Sequence, residues 1–70
     1  MTETPEALLR LASGLRAAGR SSEAADAYRQ LLAVRPDLPD SWYNLALMER
    51  RSGRYDAALA AYEVALAGAN

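Results

Sequence analysis

Trp42-Tyr43-Asn44-Leu45-Ala46, followed by Gly53-Arg54-Tyr55-Asp56-Ala57-Ala58 and by Tyr62, is the stretch whose reading decides the fold. It pairs an apolar helical segment with a glycine turn and a second helical segment, and the chain contains it twice. Sliding the sequence against itself by 34 residues aligns Pro5/Pro39, Leu11/Leu45, Ala12/Ala46, Arg16/Arg50, Gly19/Gly53, Arg20/Arg54, Ala24/Ala58, Ala27/Ala61, Tyr28/Tyr62, Leu32/Leu66 and Ala33/Ala67. These eleven identities need no gap. They place both glycine turns and both tyrosines in phase, which a bias towards Ala and Leu would not arrange, so the chain reads as two copies of one helix-turn-helix unit.

The rest of the sequence agrees. Sixteen Ala and eleven Leu stand against two Val, two Thr and no Ile or Phe, so residues suited to helices far outnumber strand formers. The expected class is all-α, with four helices. Thr4 can cap the first, with Pro5 in its first position and Glu6 at the positive end of its dipole, and Gly19 permits a left-handed exit. The second should begin at Ser21 or Ser22, carry Glu23 and Asp26 in its first turn, and stop before Pro36. Pro39 and Asp40 open the third, which runs to Gly53 with Arg50 and Arg51 at its negative end. The fourth carries Ala58, Tyr62, Ala65 and Leu66 and ends at Gly68. Units at 5–38 and 39–70 follow a short tail at 1–4.

Both copies resemble the tetratricopeptide repeat family, whose 34-residue motif spaces Trp, Leu, Gly, Tyr, Ala, Phe and Pro. The second copy supplies Trp42, Leu45 and Ala46, the turn at Gly53, Ala58, and Tyr62 in place of the second aromatic; the first supplies Leu8, Leu11, Ala12, Gly19, Ala24, Tyr28 and Pro36. The resemblance covers residues 5–70 and implies a short right-handed α-solenoid of two antiparallel hairpins. Two positions depart from the pattern. Glu49 stands where a large apolar residue is usual and the first copy has Leu15, and Asn70 stands where Pro is frequent. Small residues should let paired helices approach, Ala12 facing Ala24 and Ala46 facing Ala58, with Trp42 and the tyrosines filling the wider gaps.

Composition excludes much chemistry. With no His and no Cys, the usual transition-metal ligands and many general bases and nucleophiles are missing, and no disulfide can form. The nine carboxylates are scattered, mostly where helix capping or an exposed face explains them; Glu23 and Asp26 share a face but have no partner base. Gly14, Gly19, Gly53 and Gly68 are too far apart for a phosphate loop. A net charge of -1 gives no field for nucleic acid or anionic membranes, and no apolar run approaches the length of a membrane span. The expectation is a cytoplasmic protein that is not an enzyme and has no catalytic residue, cofactor, metal, nucleic acid or membrane partner. All eight cations are Arg, which suits bidentate recognition of carboxylates.

In the family, the first helix of each repeat lines a concave groove. The resemblance projects Leu9, Arg10, Ser13, Arg16 and Ala17 onto that surface from the first copy, and Tyr43, Asn44, Leu47, Arg50 and Arg51 from the second. Asn44 falls where many members use an asparagine to bind the backbone of an extended peptide, and the arginines could meet acidic side chains or a terminal carboxylate. The clamp of the chaperone-binding members is not expected, because Leu9 and Ser13 stand where it wants Lys and Asn. Repeat arrays also bury each unit against its neighbours. Leu59, Tyr62, Val64 and Leu66 therefore form an expected interface on the last helix, for a further repeat or a second copy through stacking or helix exchange. Three functions follow: a protein or peptide interaction module that also self-associates, a purely structural assembly unit, or the N-terminal accessory part of a larger bacterial enzyme continuing past Asn70.

Overall fold

The computed structural model describes residues 4–68. Their four helices are α1 (Pro5–Ala17), α2 (Ser21–Val34), α3 (Pro39–Arg51) and α4 (Tyr55–Gly68), and among the described residues there is no strand. Each helix lies against its successor in the chain, α1 on α2, α2 on α3 and α3 on α4. The helical expectations hold closely. Thr4 Oγ1 accepts from the Ala7 N–H at 3.1 Å, satisfying one of the amides that a helix start leaves open. Pro39 occupies the first turn of α3 as expected, but the cap position is Leu38, which offers no side-chain bond.

One start differs. Ser21 is already helical, so the cap of α2 is Arg20, and neither serine accepts from the first amides; Arg20 instead bridges to Glu23 at 2.7 Å. Asp26 lies beyond the first turn, where it pairs with Arg29. The two hairpin turns are built alike. Gly19 and Gly53 have φ of 76° and 83°, the left-handed conformation that a side chain penalises. At the first turn the Arg20 N–H reaches Leu15 O at 2.9 Å and the Gly19 N–H reaches Arg16 O at 3.0 Å; Arg54 and Gly53 repeat this pair on Glu49 and Arg50. Both sets are Schellman closures, which consume the carbonyls a helix end leaves unpaired.

The core is alanine-rich. Ala12, Ala24, Ala46 and Ala58 are all buried, as are Leu8, Tyr28, Leu31, Leu32, Leu45 and Met48, with Trp42 and Tyr62 packed at the edge. Small residues along the seams let the helix axes close to a distance at which the few large side chains fill what remains. Between the repeats, the loop at residues 35–38 is held by Trp42, whose Nε1–H donates to Pro36 O at 2.9 Å, and by the Arg35–Asp37 ion pair.

Glu49, already singled out at a usually apolar position, is an exception to the expectation that the carboxylates mostly sit in first turns or on exposed faces. It is buried, and it occupies the place of a large apolar residue by being fully partnered: Arg29 Nη1 donates to Oε2 at 2.7 Å and Arg54 Nε donates to Oε1 at 2.8 Å. A buried carboxylate is tolerable only with such partners. Arg29 comes from α2 and Arg54 from the turn before α4, so one side chain ties the two repeats together.

Candidate functional site

Successive helical residues turn by about 100°, so the five α1 residues Leu9, Arg10, Ser13, Arg16 and Ala17 span an arc of about 120°. Tyr43, Asn44, Leu47, Arg50 and Arg51 span an equal arc of α3. On α1, Leu9, Arg10, Arg16 and Ala17 are exposed and Ser13 is half-buried. On α3, Tyr43, Arg50 and Arg51 are exposed, Asn44 is half-buried, and Leu47 leans on the core. Each set thus lies on the outer side of its helix, away from the buried seam.

The electrostatics of the two sets separate cleanly from the rest of the molecule. Arg20 pairs with Glu23, Arg29 with Asp26 and Glu49, Arg35 with Asp37, and Arg54 with Glu49. These four arginines lie in α2 or beside a helix end. Among the described residues, Arg10, Arg16, Arg50 and Arg51, all on α1 or α3, pair with no carboxylate. In the Arg35–Asp37 pair the hydrogen bond from Arg35 holds the Asp37 carboxyl below its ordinary value, and the same bond holds the guanidinium above its own. Exposed guanidinium groups without a partner remain available for charge-assisted, bidentate contacts.

The end of the molecule is less uniform than the sequence suggests. Leu59, Tyr62 and Leu66 fall within about 60° of one another on α4 together with Tyr55, whereas Val64 points about 170° away. Tyr43 joins the first group: its ring meets that of Tyr62 edge-on, with centroids 5.6 Å apart. A shallow cavity of about 290 Å³ is lined by Pro39, Tyr43, Tyr62, Ala65 and Leu66 among others. Val64 instead lines a separate groove of about 550 Å³ with Leu32, Trp42, Leu45 and Ala61, floored by Arg29 and Glu49. The structure therefore brings Tyr43 to the end surface and places Val64 on another.

Sequence reasoning missed Tyr55, which is exposed at the start of the α4 row, and the Arg29–Glu49–Arg54 cluster. The row was legible from the spacing of residues 55, 59, 62 and 66. The cluster had one signal, a charge at an expected apolar position with a new arginine one 34-residue shift from Glu63. Among the described residues no group of carboxylates could hold a metal ion, and no helix is long and apolar enough to cross a membrane.

No curated protein and no solved structure matches the chain. The family model described as tetratricopeptide repeat matches residues 9–70, which takes in both glycine turns and nearly all of the four helices. Repeats of this kind generally mediate contacts between proteins and typically act as non-catalytic scaffolds. With two in-phase helical hairpins and this match over most of its length, the chain belongs to the tetratricopeptide repeat family.

Proposed function

We propose that this chain is a non-catalytic interaction module that holds an extended acidic peptide along the outer surfaces of α1 and α3, and that its ends self-associate. The observation that carries the peptide reading is the segregation of the arginines. Those of α2 and the loops are neutralised within the chain, and those of α1 and α3 are not. Four unneutralised guanidinium groups on the outer faces of α1 and α3 raise the local potential for an anionic ligand even at a net charge of -1. Asn44 supplies an amide able to donate to and accept from a peptide backbone, and Leu9, Tyr43 and Leu47 supply apolar contact between the charges.

Fluorescence anisotropy with a labelled peptide of alternating acidic and apolar residues tests this, with a basic peptide of the same length as control. The acidic peptide should bind, weaken as salt rises, and lose affinity with Asn44→Ala or Arg50→Ala at unchanged helicity. Equal binding of the two peptides, or unchanged affinity in both variants, rejects the groove.

A further inference from the structure

The repeat provides an internal ruler for its own ends. α1 packs chiefly on α2, whereas its counterpart α3 packs on both α2 and α4; α4 packs chiefly on α3, whereas its counterpart α2 packs on both α1 and α3. Comparing positions 34 apart therefore shows which side chains an extra neighbour would cover. On α1 these are Ala7, Leu11 and Gly14, whose counterparts Ser41, Leu45 and Met48 are all buried; Leu11 is 46% exposed and Leu45 only 5%. On α4 they are Leu59 and Leu66, 61% and 69% exposed, against 0% for Ala25 and 4% for Leu32. The two apolar surfaces left over are the two halves of one junction, the one the chain already makes between α2 and α3.

Their departures from that junction compensate each other. α4 adds bulk, Leu59 for Ala25, and α1 removes it, Gly14 for the fully buried Met48. Gly14 has no local reason to be glycine: it is helical, its φ is not positive, and a Cβ built there would meet nothing within 4 Å. A glycine in mid-helix destabilises the helix relative to alanine, so close approach by something outside the chain is the remaining physical role. Charge agrees. Arg29, which receives Glu49 at the internal junction, is replaced on α4 by Glu63, so an arriving helix must not bring a carboxylate to the place of Glu49; α1 brings Leu15. α4 carries Asp56 and Glu63 and no cation, which disfavours α4 against α4, whereas on α1 Arg10 lies about 70° around the helix from the Leu11–Gly14 face, at the rim of the contact.

We infer that the chain stacks head to tail, with the Leu11–Gly14 face of α1 from a second copy seated on the Leu59–Tyr62–Leu66 face of α4. This rests on the self-association reading above and specifies it. Because the two surfaces differ, each added copy leaves one of each exposed, and growth does not stop at a dimer unless the rotation closes a ring.

Sedimentation velocity over about a hundredfold range of concentration tests it. The average mass of the wild-type chain should climb past that of a dimer. Gly14→Met, which fills the head in open space, and Leu59→Glu, which charges an exposed side chain on the tail, should each weaken association at least tenfold with helicity retained by circular dichroism. An equimolar mixture of the two should give a dimer and nothing larger, since only one intact head and one intact tail remain. A wild-type chain that stays monomeric throughout overturns self-association altogether. A wild-type dimer that Gly14→Met leaves intact, or a mixture that stays monomeric, overturns the head-to-tail pairing while self-association stands.

Discussion

Removing the partners of Glu49 should cost far more than removing Glu49 itself. The carboxylate is 4% exposed and is held by Arg29 at 2.7 Å and Arg54 at 2.8 Å, while both guanidinium-bearing side chains remain 43% and 40% exposed. Stripping a buried ion of its only partner costs about 3–5 kcal/mol. Arg54→Met or Arg29→Met alone leaves the other arginine in place, and water already reaches each of them, so screening brings each single change down to about 1–2 kcal/mol. For a domain of this size that is a fall in Tm of roughly 4–16 °C. The double variant strands the carboxylate and should lose about 3–5 kcal/mol, more than the two singles together, because the second removal leaves nothing to replace the first. Glu49→Leu, by contrast, removes the buried charge and leaves two arginines that can turn to water. It restores the residue type found at Leu15 and should stay within about 1 kcal/mol of the wild type in either direction. Thermal unfolding followed by circular dichroism at low protein concentration, where association does not contribute, gives all four values. A Glu49→Leu chain less stable than the double arginine variant would refute the reasoning, because the carboxylate would then be worth more than the desolvation it suffers.

Tyr28 is fully buried and its hydroxyl has no hydrogen-bond partner, so Tyr28→Phe should leave thermal stability unchanged or raise it by about 1 kcal/mol; a clear loss would mean that the hydroxyl is satisfied in solution. Ala58→Leu, and equally Ala24→Leu, forces extra volume into a closed seam and should destabilise by about 1–3 kcal/mol, read as a lower Tm. The Asp37 carboxyl titrates below its ordinary value of 3.8, so Arg35 stabilises the loop above that pH and the contribution fades as pH falls through the depressed value. The shift should shrink in Arg35→Ala, leaving the part due to the backbone hydrogen bond at Asp37, as measured by carboxyl chemical shifts in a pH titration.

Most of the fold was legible because its signals are local and duplicated. Two glycines 34 residues apart, each closing a helix with the same pair of backbone bonds, fix both hairpins, and Pro5 and Pro39 fix two starts. The cap of α2 misleads because a serine before an acidic residue resembles a cap, whereas the Gly19–Arg20 exit starts the helix one residue earlier than Ser21 would as a cap. Glu49 escapes for a different reason. Its burial is decided by Arg29, twenty residues away on another helix, and by Arg54 across the turn, and no pattern within one helix announces a pair made between helices. The candidate site divides along the same line. The periodicity of α4 was enough to group Leu59, Tyr62 and Leu66, but setting Val64 apart and adding Tyr43 required the neighbouring helices.

Within each hairpin the contacts are made by alanine and leucine and carry little identity, so what distinguishes the inner junction from the outer surfaces is the polar cluster at Glu49. In a repeat array stability is the sum of unit terms and nearest-neighbour terms, and a polar cluster that only one pairing satisfies sets which neighbour fits. This can be transplanted. Leu15 is the counterpart of Glu49, Arg20 that of Arg54, and Glu63 that of Arg29. The double change Leu15→Glu with Glu63→Arg therefore writes the inner junction onto the outer surfaces: Arg20 is already placed to take one oxygen of the new carboxylate, and the guanidinium that Glu63→Arg introduces on a second copy would take the other. Each single change supplies half a pair. Leu15→Glu brings a carboxylate against Glu63 and should weaken association, and Glu63→Arg alone adds an unpaired cation. The double variant should associate at least tenfold more tightly than either single variant, a difference of about 1.4 kcal/mol, with a strong dependence on salt. If the double variant sediments no faster than the singles at any concentration, α1 of one copy does not meet α4 of the next in the register of α3 on α2.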